Sequence, residues 1–145
     1  MISSPRTKLK IDGIEFQSTC FACGADNPRG LLLKFHVDSD GAASASFVPG
    51  PEWEGSRGIV HGGIVTTLLD EAMAKAVAST GCKAMTAELR VRFRQYAETG
   101  ERLQVRGWVV RHKARLIEAQ ALLGGTDGER AHAWAKFLVV GKPKP

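Results

Sequence analysis

A histidine and two glycines, His61-Gly62-Gly63, stand directly before an apolar segment with helical spacing. Glycine lets another group approach the backbone closely because it has no Cβ. The first N–H groups of a helix lack partners within it, and the helix dipole places partial positive charge there. Such a turn can stabilise a carbonyl oxygen that gains negative charge. The alternative is structural: the glycines form a tight turn, and His61 caps or packs against the helix.

Asp70 is the second candidate, because no basic residue lies three or four positions from it on the predicted helix. It falls at the border of the apolar face, where a carboxylate is partly desolvated. Because partial desolvation of a carboxylate is unfavourable, such a group is a candidate for a functional role. Glu71, by contrast, has Lys75 at i+4, so an exposed ion pair on the helix surface is enough to explain Glu71. Helix rise places Asp70 about 14 Å beyond the glycine turn. If both act on one group, the site is shared across a symmetric dimer.

Thr86 opens the strand that follows the helix, where its hydroxyl could hold a water or orient the carboxylate of Asp70. A β-branched residue that merely suits a strand is the alternative.

Basic residues gather on this strand and on the next hairpin turn, either as a solvated face or as ligands for phosphate groups. They are Arg90, Arg92, Arg94, Arg111, Lys113 and Arg115.

Two cysteines stand in the spacing Cys20-Phe21-Ala22-Cys23-Gly24, which invites a zinc interpretation. A closed zinc site takes four ligands, and the sequence has no second pair. Cys82 and one of the histidines would together complete such a site only by coincidence. We therefore expect a compact cysteine-containing turn and no metal. The odd number of cysteines also argues against a disulfide framework and agrees with a reducing compartment.

The 145-residue chain has the length and composition of one ordinary globular domain. Its net charge of +5 favours an anionic partner, and a phosphorylated small molecule fits this modest excess better than nucleic acid. No membrane span or secretory signal is recognisable, so we expect a cytoplasmic protein without a membrane partner. Serine-hydrolase, dinucleotide-binding and phosphate-loop motifs are absent from the sequence.

Hydrophobic periodicity predicts the elements that must position these residues. A helix is expected over residues 63–79, with Gly81 as its stop. Strands are expected over residues 31–38, 42–47, 103–111, 116–123 and 131–140, and around the alternating Leu89, Val91 and Phe93. The predicted architecture is α+β, an antiparallel meander with the helix across its concave face. Residues 1–15 are a polar segment that we expect to be loosely ordered, and residues 141–145 a frayed tail.

From about residue 20 to residue 140 the chain resembles the PaaI-like acyl-CoA thioesterases of the hotdog-fold superfamily. The resemblance is strongest in Ile59-Val60-His61-Gly62-Gly63-Ile64-Val65-Thr66-Thr67-Leu68-Leu69-Asp70-Glu71-Ala72 and in Met85-Thr86-Ala87-Glu88-Leu89. It has two departures. Where many members carry an amide before the histidine, this chain reads Trp53-Glu54-Gly55-Ser56-Arg57-Gly58, and an expected Arg-Pro pair reads Arg94-Gln95.

The resemblance implies a hotdog domain over residues 16–140, in which an antiparallel sheet wraps around one long central helix. Asp70 would be nucleophile or general base, and Thr86 would assist it. The N–H of Gly62, with that of Gly63 as a second donor, would polarise the thioester oxygen beside His61. Coenzyme A phosphates would bind Arg94, Arg111, Lys113 and Arg115. The resemblance also implies a homodimer with a continuous sheet, often paired again into a homotetramer, and no cofactor.

A non-catalytic acyl-CoA binding or sensor module is the alternative, since fold does not fix function. Such a binder has little reason to keep a lone carboxylate beside its pocket. An acyl-CoA hydratase or dehydratase would require a histidine after Asp70 on the same helix, and none follows.

Overall fold

A computed structural model describes residues 10–11, 14–15 and 19–141. The elements in chain order are β1 Lys10–Ile11, β2 Ile14–Glu15, β3 His36–Val37, β4 Ala43–Phe47, a 3-10 turn Pro51–Trp53, α1 Gly62–Ala78, β5 Ala84–Phe93, β6 Leu103–Lys113, β7 Leu116–Gly125 and β8 Gly128–Val139. Strands β3 to β8 form one antiparallel sheet in the order β3-β4-β6-β7-β8-β5. The predicted α+β architecture, one long helix against an antiparallel sheet, is confirmed, but only β6, β7 and β8 form a meander, because β5 pairs with β8 and not with β6.

The expectations for residues 1–15 and 141–145 fall mostly on residues outside the described ones; only β1, β2 and Gly141 are placed. Among the described residues, no helix is long and apolar enough to cross a membrane.

Helix α1 and the four long strands follow the predicted periodicities closely. The helix begins one residue before its predicted start, and Gly81 with φ +84 follows it in the left-handed conformation that ends many helices. The strand predicted over residues 31–38 is wrong, because only His36–Val37 pairs in the sheet. Leu31 and Leu33 instead donate their N–H groups to the carbonyl oxygens of the preceding cysteine turn, and Leu32 between them has a positive φ of 55.

A row of small residues crosses the sheet beneath α1. Cross-strand register aligns Ala43 on β4, Gly107 on β6, Ala121 on β7 and Ala133 on β8, and all four are buried. A Cβ placed on Gly107 would lie 2.5 Å from the carbonyl carbon and oxygen of Ala72 on the helix. The helix backbone therefore rests directly on the sheet at this point, and larger apolar side chains on either side fill the remaining core.

We expect the Gly107→Ala substitution to lower the free energy of unfolding by about 1–3 kcal/mol, because the new methyl group has no room against the backbone of α1. Gly124→Ala is the matched control, since a Cβ on this sheet glycine would lie 4.0 Å from the carbonyl oxygen of Gln104 and would have room. Urea denaturation of both variants measures the difference. Equal stability of the two variants would contradict the close contact between helix and sheet.

Candidate active site

The glycine turn is organised by His61, which is the N-cap of α1. Its Nδ1 accepts a hydrogen bond of 2.8 Å from the N–H of Gly63, and its carbonyl oxygen accepts from the N–H groups of Ile64 and Val65. His61 therefore caps the helix, as the structural alternative for this residue described. Because the cap occupies the N–H of Gly63, that group is not available as an oxyanion donor. The N–H of Gly62 makes no hydrogen bond to any described residue.

A cavity of about 280 Å³ opens beside this free N–H group. Its lining is mostly apolar and comes from the chain before the helix, from the helix start and from the segment after β5. The lining residues are Ile59, Val60, Gly62, Val65, Phe93, Arg94, Gln95, Tyr96 and Ala97. A Cβ on Gly62 would lie 3.6 Å from the ring of Phe93, so the start of the helix and this ring are neighbours in the cavity wall.

The segment after β5 is held in place by a buried ion pair. Arg130 Nη2 lies 2.5 Å from Glu101 Oε1, with each side chain only 8% exposed, and Arg130 also donates to Gln95 Oε1. Burial alone would raise the pKa of Glu101, but hydrogen bonds from Arg130 and from the N–H groups of Glu98 and Thr126 hold it at about 2. Glu101 is therefore ionised at neutral pH, and the ion pair fixes the wall of the cavity that contains Gln95.

Asp70 and Thr86, predicted to cooperate, are brought together by the fold. The Thr86 hydroxyl donates to Asp70 Oδ1 at 2.9 Å, from the first part of β5 to the middle of α1. Asp70 is partly buried, and this desolvation raises the pKa of its carboxyl group. The hydrogen bond from Thr86 acts in the opposite direction and lowers the pKa, while the charge of Glu71 adds to the rise. The result is a carboxylate with increased basicity and a fixed orientation.

A β-bulge in β5 makes this contact possible. Leu89 faces the interior opposite the buried Ala135, and strict alternation along the strand would turn Thr86, three residues earlier, to the outer face. The register with β8 instead shifts between Thr86 and Glu88, which makes Ala87 an extra residue. Thr86 is thereby placed opposite the buried Phe137, on the inner face where Asp70 lies.

Gly62 and Asp70 are eight residues apart on an unbroken helix, about 12 Å along its axis. They also lie near opposite ends of β5, since Gly62 is next to Phe93 and Asp70 is next to Thr86. One chain therefore does not bring the two groups to a single reacting carbonyl. Strand β5 is an edge of the sheet, and its outer side has no partner strand among the described residues.

The predicted phosphate-binding residues do not form one cluster within a chain. Arg94 follows the end of β5, whereas Arg111 and Lys113 lie near the end of β6, at the opposite end of the sheet and with two strands in between. The antiparallel order is the reason, because β5 and β6 run in opposite directions and their last residues therefore lie at opposite ends. Arg115 has a structural partner, since its guanidinium donates to the carbonyl oxygen of Val139 at 3.0 Å.

The ion pair of Glu71 and Lys75 exists, with Nζ and Oε1 3.6 Å apart, but it is not exposed as predicted. The two side chains are only 15% and 5% exposed, because the turn that contains Cys20 and Cys23 covers them. Lys75 Nζ also donates to Cys23 Sγ at 3.3 Å. Burial, and then the nearby charge of Glu71, raise the pKa of the Cys23 thiol to about 12.

A family model for the thioesterase superfamily matches residues 57–129, a span that contains the glycine turn, Asp70 and Thr86. Among solved structures, one similar protein is a thioesterase superfamily protein with 25% identity and a TM-score of 0.77. That match covers 81% of this chain and 61% of the other, so the chain spans about three fifths of that protein. No curated protein is similar enough in sequence to count as a match.

Two further structures share the fold at lower identity. The PaaI protein from the phenylacetic acid degradation operon of E. coli has 18% identity and a TM-score of 0.73, with 78% of this chain and 83% of that chain covered. A hypothetical thioesterase from Streptococcus pneumoniae, solved with coenzyme A, has 18% identity and a TM-score of 0.72, with 77% and 88% covered. The fold of this chain is thus the hotdog fold that the resemblance implies.

We expect His61→Ala to lower the free energy of unfolding by about 1 kcal/mol, because the N–H of Gly63 loses its acceptor. His61→Asn should keep most of the stability, since asparagine is a favourable N-cap residue. Chemical denaturation of the two variants measures the effect. Equal losses in both variants would show that His61 stabilises the chain by another contact.

Proposed function

Because the chain belongs to the thioesterase superfamily, we propose that it hydrolyses an acyl-CoA thioester to the free acid and coenzyme A. The observation that carries the proposal is the hydrogen bond of 2.9 Å from Thr86 to the partly buried carboxylate of Asp70. The Streptococcus pneumoniae thioesterase supports it in two ways. It was solved with coenzyme A, and it was also solved as an aspartate-to-alanine and a threonine-to-alanine variant. Those two positions are sixteen residues apart, as are Asp70 and Thr86.

In the proposed reaction Asp70 either attacks the thioester carbonyl or removes a proton from the attacking water. Its raised pKa makes the carboxylate a stronger base than an exposed aspartate, and the hydrogen bond from Thr86 holds its orientation. The carbonyl oxygen becomes negatively charged and is stabilised by the N–H of Gly62 at the positive end of α1. The coenzyme A thiolate leaves and takes a proton, and water supplies the oxygen of the free acid.

The separation of Gly62 from Asp70 requires a second subunit. Pairing of two β5 edges about a twofold axis would place the Thr86 end of one β5 beside the Phe93 end of the other, and so bring Asp70 towards the partner's Gly62. The free edge itself supports this arrangement, because a ten-residue edge strand is normally covered. Met85 and Phe93 on this strand are 60% and 54% exposed in the single chain. Further pairing into a homotetramer stays a prediction.

The same dimer would reunite the separated basic residues. With antiparallel β5 edges, Arg94 and the partner subunit's Arg111 and Lys113 lie at the same end of the continuous sheet. Four strand spacings, about 19 Å, separate β5 of one subunit from β6 of its partner in such a dimer, a distance that an extended coenzyme A can span. The acyl group would occupy the apolar cavity beside Gly62, between Phe93 and Val65.

We expect Asp70→Asn to fold and dimerise but to lose kcat by about 10²- to 10⁴-fold, because it removes the group that activates water or attacks the thioester. Thiol release from short, medium, long and aromatic acyl-CoAs measures the loss. Asp40→Asn, in an exposed turn, is the matched control and should keep full activity. Retained turnover in Asp70→Asn contradicts the proposal. A wild-type chain that binds acyl-CoA without hydrolysing it would instead support the non-catalytic binding module.

Thr86→Val should move the acid limb of the kcat/KM profile to higher pH. The hydrogen bond from Thr86 lowers the pKa of Asp70, so its removal raises that pKa further. A larger fraction of Asp70 is then protonated and inactive at a given acidic pH, and activity recovers as the pH rises. Thr86→Ser keeps the hydroxyl group and should keep the wild-type profile. Identical acid limbs in Thr86→Val and wild type would show that Thr86 does not position the reacting carboxylate.

A further inference from the structure

A cluster of metal-ligand atoms lies on the flank of α1 that Asp70 does not occupy. The Sγ atoms of Cys20 and Cys23 and a carboxylate oxygen of Glu71 all lie within 4.8 Å of one another, and the three residues are partly buried. Lys75 borders the cluster, with its Nζ 3.3 Å from Cys23 Sγ and 3.6 Å from Glu71 Oε1. The cluster thus combines two thiols and one carboxylate from two distant parts of the sequence.

The backbone holds both cysteines in place. The N–H of Gly24 donates to the carbonyl oxygen of Cys20 at 2.7 Å and closes the turn. Between the cysteines, Ala22 is only 1% exposed and belongs to the hydrophobic core. The carbonyl oxygens of Phe21 and Ala22 accept hydrogen bonds from the N–H groups of Leu31 and Leu33. The turn is therefore anchored to the core on one side and presents its sulfur atoms to Glu71 on the other.

We propose that Cys20, Cys23 and Glu71 bind one zinc ion, with a water molecule as the fourth ligand. Thiolate sulfur and carboxylate oxygen are zinc ligands, and three protein ligands with one water form a recognised zinc arrangement. Ligand atoms around a tetrahedral zinc ion lie about 3.6–3.8 Å apart, so side-chain movements of about 1 Å complete the site. The sequence alone argued against a metal because it lacked a second cysteine pair. The fold supplies the missing ligand from α1.

The charges of the surrounding groups fit this occupant. A zinc ion bound to two thiolates and one carboxylate carries one net negative charge, and the Lys75 ammonium group compensates it within the same half-buried region. Binding replaces the two thiol protons by the ion, so the total charge of the region is unchanged. The bound ion would connect the segment around Cys20 to α1. This proposal is independent of the thioesterase activity.

Zinc itself is the probe. Reduced protein, freed of metal by a chelator, should retain one zinc per chain after equimolar addition and gel filtration, as measured by mass spectrometry of the metal. Cobalt(II) in place of zinc should give the visible absorption of a tetrahedral site and thiolate-to-metal charge-transfer bands. Zinc should also raise the unfolding temperature of the wild-type chain.

The variants Cys20→Ser and Cys23→Ser should lose stoichiometric zinc, the cobalt bands and the rise in unfolding temperature. Cys82→Ser is the matched control, because this third cysteine is buried outside the cluster and should leave all three signals intact. Glu71→Gln, which keeps the shape of the side chain, should bind zinc more weakly than wild type even if a serine variant fails to fold. Failure of the reduced wild-type chain to retain zinc, or unchanged zinc binding by the Cys20→Ser/Cys23→Ser double variant, would overturn the proposal.

Discussion

The position of helix α1 on the sheet is fixed by a contact that leaves no space for a side chain. At Gly107 the backbone of β6 meets the backbone of Ala72, and the neighbouring alanines extend this flat surface across three further strands. Because the buried face of the helix is held there, its two carboxylates emerge on opposite flanks. Asp70 faces β5, and Glu71 faces the cysteine turn. The helix start is fixed by the same contact, so the free N–H of Gly62 and the Asp70 carboxylate keep a constant separation.

Much of this arrangement follows from local sequence patterns. The helix and the four long strands were predicted closely, because their apolar residues repeat with the periods that burial of one face demands. The pair of Asp70 and Thr86 could be named as well, since a carboxylate without a neighbouring cation stands out and the resemblance to the thioesterase family implies its partner. His61 was expected directly before the helix, and it lies there. Its two possible roles, in the catalytic turn or as a structural cap, could not be distinguished without the hydrogen bond to Gly63.

Features that depend on distant parts of the chain were not predictable in the same way. Glu71 was expected on the surface because its i+4 partner is visible in the sequence, whereas the turn that buries it lies about fifty residues earlier. The basic residues were grouped by closeness in sequence, but antiparallel strands carry them to opposite ends of the sheet. The bulge could have been inferred from one feature of the sequence. Thr86 and Leu89 are both expected to face inwards, but residues three positions apart face opposite sides of a regular strand.

The two edges of the sheet differ greatly in length, and this has a consequence for solubility. Strand β5 has ten residues, whereas β3 at the other edge has two. Once two chains pair through β5, the described part of the sheet ends on both sides in a strand too short to recruit another. Edge-to-edge addition therefore stops at two chains and cannot propagate into a fibre. A variant that lengthened β3 into the region 31–35, where buried Leu31 and Leu33 already alternate with exposed Leu32 and Lys34, would reopen that route to aggregation.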